Sequence, residues 1–353
     1  MKKTLLIGLL ALSGSINAQA LLSENFNTLT LGNVTTSTTG ATAGQGGFYL
    51  DSSNGTAPTT STNATASIAQ IVTGGSSSNG LQLSGPNGDK GGSFLWKNGL
   101  TTVWAARTSG NNIIEVEVEI NPGAGTTTSK NVFGVSIYDA TFSKTLAGFS
   151  VNASTRELLL TAYSTPSGSP VGNYNYSLAA APGLQLPANV SSKIGIAFNK
   201  TTGQIRLKGP GIAAAGLTLT GSAVGLDPAE IDFVAFSGST ATVFNTSSTS
   251  VVFDNLVSRA SATDTLLESA KFTSNTVDFS VYPNPANDVV NISNSTSAII
   301  SNVEMTDLNG RVVKNVTLNA TEGQINISDL STGVYMMNVS SDQGTSTKKI
   351  IKN

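Results

Sequence analysis

The run Ile113-Ile114-Glu115-Val116-Glu117-Val118-Glu119-Ile120 alternates apolar and charged side chains with a period of two. Only an extended strand sends such a pattern to two separate faces. Short runs of similar kind, bounded by Gly, Asn, Ser, Thr and Pro, recur at Gly80 to Leu83, Ser93 to Trp96, Val132 to Tyr138, Ala147 to Val151, Glu157 to Tyr163, Lys193 to Phe198, Gln204 to Lys208, Ile231 to Phe236 and Val251 to Val257. No stretch between them shows a convincing 3.6-residue period. The pattern predicts an all-β sandwich over residues 21–260 and argues against helical bundles and α/β folds. Asn199 to Gly203 has the length and the terminal glycine of a hairpin loop. Thr35 to Thr65, rich in Thr, Ser, Gly and Ala, reads as a long surface loop.

Composition narrows the chemistry. Apolar residues make up 39% of the 353, enough to fill a core, while charged residues are only 11%. There is no cysteine and no histidine. Disulfides, thiolate chemistry, Ser-His-Asp catalysis and His-ligated zinc are therefore excluded. Basic residues do not cluster enough to follow a phosphate backbone, so nucleic acid is not an expected partner.

Met1 to Ala20 reads as a signal peptide. Lys2 and Lys3 form the charged start, Leu5 to Leu12 the apolar stretch, and Ala18-Gln19-Ala20 the small-residue cleavage site, leaving Leu21 first. Losing the two lysines makes the formal charge, -2 for the whole chain, two units more negative. No apolar run approaches the roughly 20 residues of a transmembrane helix, so no transmembrane segment is expected.

The last stretch, Phe279 to Asn353, has its own organisation. Val289 to Ile292, Val303 to Met305, Val312-Val313, Gln324 to Ile327 and Val334 to Val339 are short strand-like runs separated by turn residues, the spacing of a small Ig-like β-sandwich. Its marked blocks are Tyr282-Pro283-Asn284-Pro285, Asp307-Leu308-Asn309-Gly310-Arg311, Leu330-Ser331-Thr332-Gly333-Val334-Tyr335 and Lys348-Lys349. In this order they resemble the type A C-terminal sorting domain of the Bacteroidetes type IX secretion system. The resemblance implies an exported, secreted or cell-surface protein that crosses the periplasm, with the secretion machinery and its sortase as partners. Residues 277–353 would form this domain, and Ser261 to Thr276 the linker where the tail is removed.

Residues 21–260 carry a second, looser resemblance. Leu22-Ser23-Glu24-Asn25-Phe26 at the start, Val252 to Val257 at the end, and the runs IEVEVEINPG and IGIAFNKTTGQIRL between them look like the concanavalin A-like jelly roll of laminin-G-like and lectin-like modules. That fold implies a large jelly-roll cargo whose first and last strands lie side by side.

Three groups of residues are candidates for function. Glu115, Glu117 and Glu119 would line one strand face about 6.5 to 7 Å apart. A glycosidase needs two carboxyl groups, and this strand resembles the Glu-x-Asp-x-Glu strand of family 16 glucanases, with Glu117 departing from it. On that reading Glu115 is nucleophile and Glu119 acid/base; on the other, all three glutamates face solvent. Glu24 and Asp254 would meet if the first and last strands pair, and similar modules hold a structural Ca²⁺ there, which also needs backbone carbonyls and water. Trp96, Trp104, Tyr174 and Tyr176, with Tyr49 and Tyr138, would offer rings on which sugars stack. The reading is a non-catalytic cargo that binds glycan or surface polysaccharide as an adhesin or lectin does; the alternatives are a glycoside hydrolase and a structural surface or matrix protein.

Overall fold

The computed structural model describes residues 18–55, 63–76, 78–126, 128–240, 242–267, 279–294, 299–307, 311–341 and 344–353. The signal-peptide reading lies almost wholly outside them. The chain divides into two compact units, Met1–Leu267 and Glu268–Asn353.

The first unit runs β1 (Gln19–Glu24), β2 (Gly32–Asn33), β3 (Phe48–Ser53), β4 (Ala69–Thr73), β5 (Asn79–Ser84), β6 (Gly92–Lys97), helix α1 (Leu100–Ala105), β7 (Ile113–Asn121), β8 (Val132–Asp139), β9 (Thr145–Asn152), β10 (Leu158–Ser164), β11 (Gly172–Ser177), β12 (Ser192–Asn199), β13 (Gln204–Lys208), β14 (Leu217–Thr220), β15 (Pro228–Phe236) and β16 (Ser250–Ser261). These strands form two antiparallel sheets, a jelly-roll sandwich. The nine-stranded sheet has the order β14-β13-β12-β7-β16-β5-β4-β2, with β1 also on β16, and the seven-stranded sheet the order β11-β10-β9-β8-β15-β6-β3.

Alternation decides what lies between the sheets. Ile114, Val116, Val118 and Ile120 of β7 are fully enclosed, as are Leu95 of β6, Phe133, Val135 and Ile137 of β8, and Phe48 and Leu50 of β3. The rings of Phe48 and Phe233 reach Phe26, and Phe233 meets Phe253 of the other sheet at 5.1 Å between centroids. Each enclosed side chain of this size contributes about 1.5–3 kcal/mol.

First and last strands are neighbours. Glu24 lies opposite Leu256, and Gln19 and Ala20 lie opposite Ala260 and Arg259. The Gln19 side chain also accepts a hydrogen bond from the Thr108 amide at 2.7 Å. Cleavage after Ala20 would strip these two residues from β1.

Two expectations of local structure change, and one short helix joins the all-β pattern. The supposed loop Thr35 to Thr65 contains β3, whose Phe48 and Leu50 are core residues. Between Trp96 and Trp104 the chain makes the short helix α1, which Gly99, at φ +112, starts. The linker does not begin at Ser261, because residues 261–267 belong to the first unit and Leu266 is fully buried. The rest of the expected linker, from residue 268, is outside the described residues.

The second unit contains β17 (Phe279–Tyr282), β18 (Val289–Asn294), β19 (Ile300–Thr306), β20 (Val312–Ala320), β21 (Gly323–Asn326), β22 (Gly333–Ser341) and β23 (Gly344–Lys352). The sheets β17-β18-β21 and β20-β19-β22-β23 enclose a small core of Phe279, Val290, Ile292, Val303, Met305, Ile325, Met337, Val339 and Ile350.

Candidate functional site

The motif residues of the second unit tie its ends together. Asn284 donates to the Lys349 carbonyl at 2.7 Å and accepts from the Ile351 amide at 2.9 Å, so its side chain takes the place of a strand neighbour beside β23. Pro283 and Pro285, exposed on either side, have no amide to offer that edge. Tyr282 is exposed, and its carbonyl accepts from Asn291. Asp307 takes the Arg311 amide and guanidinium at 3.0 and 3.1 Å, which closes the turn; Gly310 within it is outside the described residues. The Tyr335 hydroxyl donates to the Ser331 carbonyl across Gly333. Lys348 and Lys349 lie in β23 opposite Met337 and Met336.

Residues 280–353 match the secretion system C-terminal sorting domain. The chain therefore carries a type IX sorting tail and is secreted to the cell surface or beyond. Among the described residues no helix is long and apolar enough to cross a membrane.

In the cargo unit, the three glutamates of β7 lie on the outer side of the nine-stranded sheet, as alternation requires. Two of them are not in solvent, while Glu119 is half-buried. Glu115 is 0% and Glu117 4% exposed, because Asp264 to Leu267 turn back across the face after β16. The Thr265 amide and hydroxyl each donate to Glu115 at 2.6 Å, and the Leu267 amide donates to Glu117 at 2.8 Å. Arg259 bridges both carboxylates, and Lys193 reaches Glu117 at 2.7 Å. Asp264 is held by Arg206 and Lys208. Leu266 settles over Gly195, where a Cβ would stand 2.7 Å from its Cγ. Burial alone would raise the Glu117 carboxyl, but the bonds from Lys193 and Leu267 and the Arg259 charge outweigh it and hold it below its ordinary value. This is a clasp that closes the cargo unit, with Glu115 out of reach of a substrate.

Glu24 and Asp254 are not brought to one site. Glu24 accepts from Lys97 at 3.1 Å and from the Phe26 amide at 2.8 Å, while Asp254 lies opposite Glu119. They line separate cavities. Among the described residues no cluster of three or more acidic side chains is placed to hold a metal ion.

The aromatic candidates divide. Trp104, 2% exposed, is a core residue of α1, with its indole N–H on Asp227 at 2.7 Å and the Arg107 guanidinium 4.1 Å from its ring. Tyr174 and Tyr176 point to the inner side of β11, their hydroxyls bonded to the Pro170 carbonyl and to Ser164. Trp96 faces outward. It is stacked on Tyr49 at 5.7 Å between centroids, and its N–H is held by Asn98.

Cross-strand register then builds a surface from residues far apart in sequence. Tyr49, Trp96, Asp232, Ser136, Gly148, Thr161 and Asn175 form one row across the seven-stranded sheet, and Asp51, Phe94, Val234, Gly134 and Ser150 the next. Phe94 packs edge-on against Phe236 and Tyr138. Gly134 and Gly148 have no room for a Cβ, which would stand 2.0 Å from the Phe149 carbonyl oxygen and 3.0 Å from Ser136 Oγ respectively. The face is thus aromatic at the β3 and β6 end, made of glycines and small buried side chains in the middle and polar towards β11.

Glu230 and Asp232 stand beside the rings and are not among the sequence candidates, although Glu230-Ile231-Asp232 has the same alternation as the β7 glutamates. Asp232 is 3% exposed, and its Oδ1 has no hydrogen-bond partner. Glu230, two residues away on the same strand face, is near enough for its charge to act on Asp232. Burial, and then the Glu230 charge, push Asp232 well above the usual carboxylate range; burial also raises Glu230 and the Tyr138 hydroxyl.

A raised acid favours the folded state only while protonated, so its cost to stability grows as the pH climbs from the unfolded value of 3.8 towards the folded one. Asp232→Asn keeps a donor towards Glu230 and removes that cost. Its melting temperature at pH 7.5 is expected to exceed that of the unmodified protein by about 2–4 °C per kcal/mol relieved, with the gain vanishing near pH 4. A variant no more stable at pH 7.5 would contradict the cost assigned to burying Asp232.

Similarity to solved structures is distant. The marine PL-14 alginate lyase from Aplysia kurodai is 12% identical with a TM-score of 0.42, over 69% of this chain and 100% of that one. The binding domain of Botulinum Neurotoxin DC in complex with SialylT is 10% identical, TM-score 0.39, over 93% and 73%. Alginate lyase vAL-1 from Chlorella virus is 10% identical, TM-score 0.39, over 66% and 99%. At these values the likenesses carry no functional argument. No curated protein sequence matches the chain.

Proposed function

We propose that the exported cargo is a saccharide-binding module whose ligand lies along the outer face of the seven-stranded sheet. The observation that carries this reading is the outward Tyr49–Trp96 stack, continued by Phe94 and followed in the same rows by carboxylates, hydroxyls and amides. Sugar rings present apolar C–H faces that pack on aromatic rings, and hydroxyls that need donors and acceptors beside them. The enclosure of Glu115 and Glu117 supports a structural part for β7, not a hydrolytic one.

Trp96→Ala is expected to weaken retention on the recognised polysaccharide about ten-fold or more, the scale of losing a central aromatic contact. Affinity electrophoresis reads it, with circular dichroism to check that the fold is kept. Trp96→Ala binding as tightly as the unmodified chain would place the site elsewhere.

A further inference from the structure

At the aromatic end of the outer face, on β3, β6 and β15, the charged side chains are acidic, and the cation of the same face, Lys144, lies over Tyr163 on β10. Resting on the saccharide reading above, we infer that this face selects saccharides bearing a protonated amine, such as unacetylated hexosamines, over neutral sugars and over uronates. Its carboxylates are Asp51 on β3 and Glu230 and Asp232 on β15, within the rows that hold Tyr49, Trp96 and Phe94 or one position beyond them. Among the described residues none of the three is ion-paired. The neighbouring cations are engaged elsewhere: Lys97 binds Glu24 and lies over the Phe48 ring, and Lys144 lies over Tyr163 on β10, beyond β8 and β9 from Glu230.

Ligand chemistry follows from what the carboxyl pair lacks. Asp232 Oδ1 is enclosed with no donor on it, so the pair meets a ligand through half-buried Glu230 at the rim, which presents an acceptor. A hydroxyl brings one donor and no charge, whereas an ammonium brings three donors and the complementary charge. The Trp96 and Tyr49 rings add attraction for a cation over their faces. A uronate would set a like charge against carboxylates already short of solvent.

The test uses the full chain and matched β-1,4 hexamers of glucosamine, of glucose and of glucuronate, with binding measured by calorimetry. The glucosamine hexamer is expected to bind about ten-fold tighter than the glucose hexamer, the scale of one charge-assisted hydrogen bond, and the glucuronate hexamer not at all. Glu230→Gln is expected to abolish the difference while the glucose hexamer still binds. Equal or tighter binding of glucose overturns the amine preference and leaves the saccharide face standing. Amine selectivity that survives Glu230→Gln overturns the assignment to this pair. Binding of none of the hexamers overturns both readings.

Discussion

Replacing Arg259 by alanine is expected to cost the cargo unit about 3–5 kcal/mol, the range for removing one partner of a buried ionic cluster. Arg259 donates to Glu115 at 2.7 Å, to Glu117 and to the Thr265 carbonyl at 3.1 Å, and Glu115 has no contact with solvent. Without the guanidinium, two enclosed carboxylates two residues apart keep only Lys193, the Thr265 hydroxyl and two backbone amides against their mutual repulsion. The melting temperature should fall by about 10 °C or more. Combining Glu115→Gln, Glu117→Gln and Arg259→Met in one chain should recover part of the loss, since an apolar or neutral set needs no counter-charge.

The same cluster sets the acid limit. Glu117 and Asp264 are both held below their ordinary values, so their contribution is complete above about pH 4.5 and is lost as the pH falls through their folded values. A drop of less than about 2 °C in Arg259→Ala, by calorimetry at pH 7, would show that the clasp stabilises little.

Deleting residues 279–353 is expected to hold the cargo in the periplasm, with the surface and medium fractions falling to background. The motif residues of this tail are mostly pins of its own sandwich: Asn284 beside β23, Asp307 on Arg311, Tyr335 on Ser331. What the secretion machinery meets is therefore a folded domain, and a loss of fold should act like a loss of sequence. Fractionation followed by immunoblotting measures this. Normal export of the truncated chain would refute the sorting role of the domain.

Strands whose two faces differ are legible from sequence alone. β7 and β12 are plain, because Ile, Val and Phe alternate there with Glu, Lys, Gly and Ala. Alternation names the face of a side chain but not what covers that face. Glu115 and Glu117 read as exposed because the segment that buries them, Asp264 to Leu267, has no period of its own. Trp104 looks free because a helix of six residues is too short to show a helical stripe. The outer face of the seven-stranded sheet is hidden for a different reason. Its rows depend on the strand order β3-β6-β15-β8, set by contacts between residues as distant as Tyr49 and Asp232. Trp96 and Tyr49 are recognisable one by one, and their alignment with Asp232 is not.

The most direct test of the account is retention of the full chain and of its Trp96→Ala variant on a panel of polysaccharides, with the supernatant assayed for new reducing ends. The account predicts retention of the unmodified chain, loss of retention in the variant and no new reducing ends. Release of reducing ends, or retention that ignores Trp96, would contradict a non-catalytic saccharide site on this face.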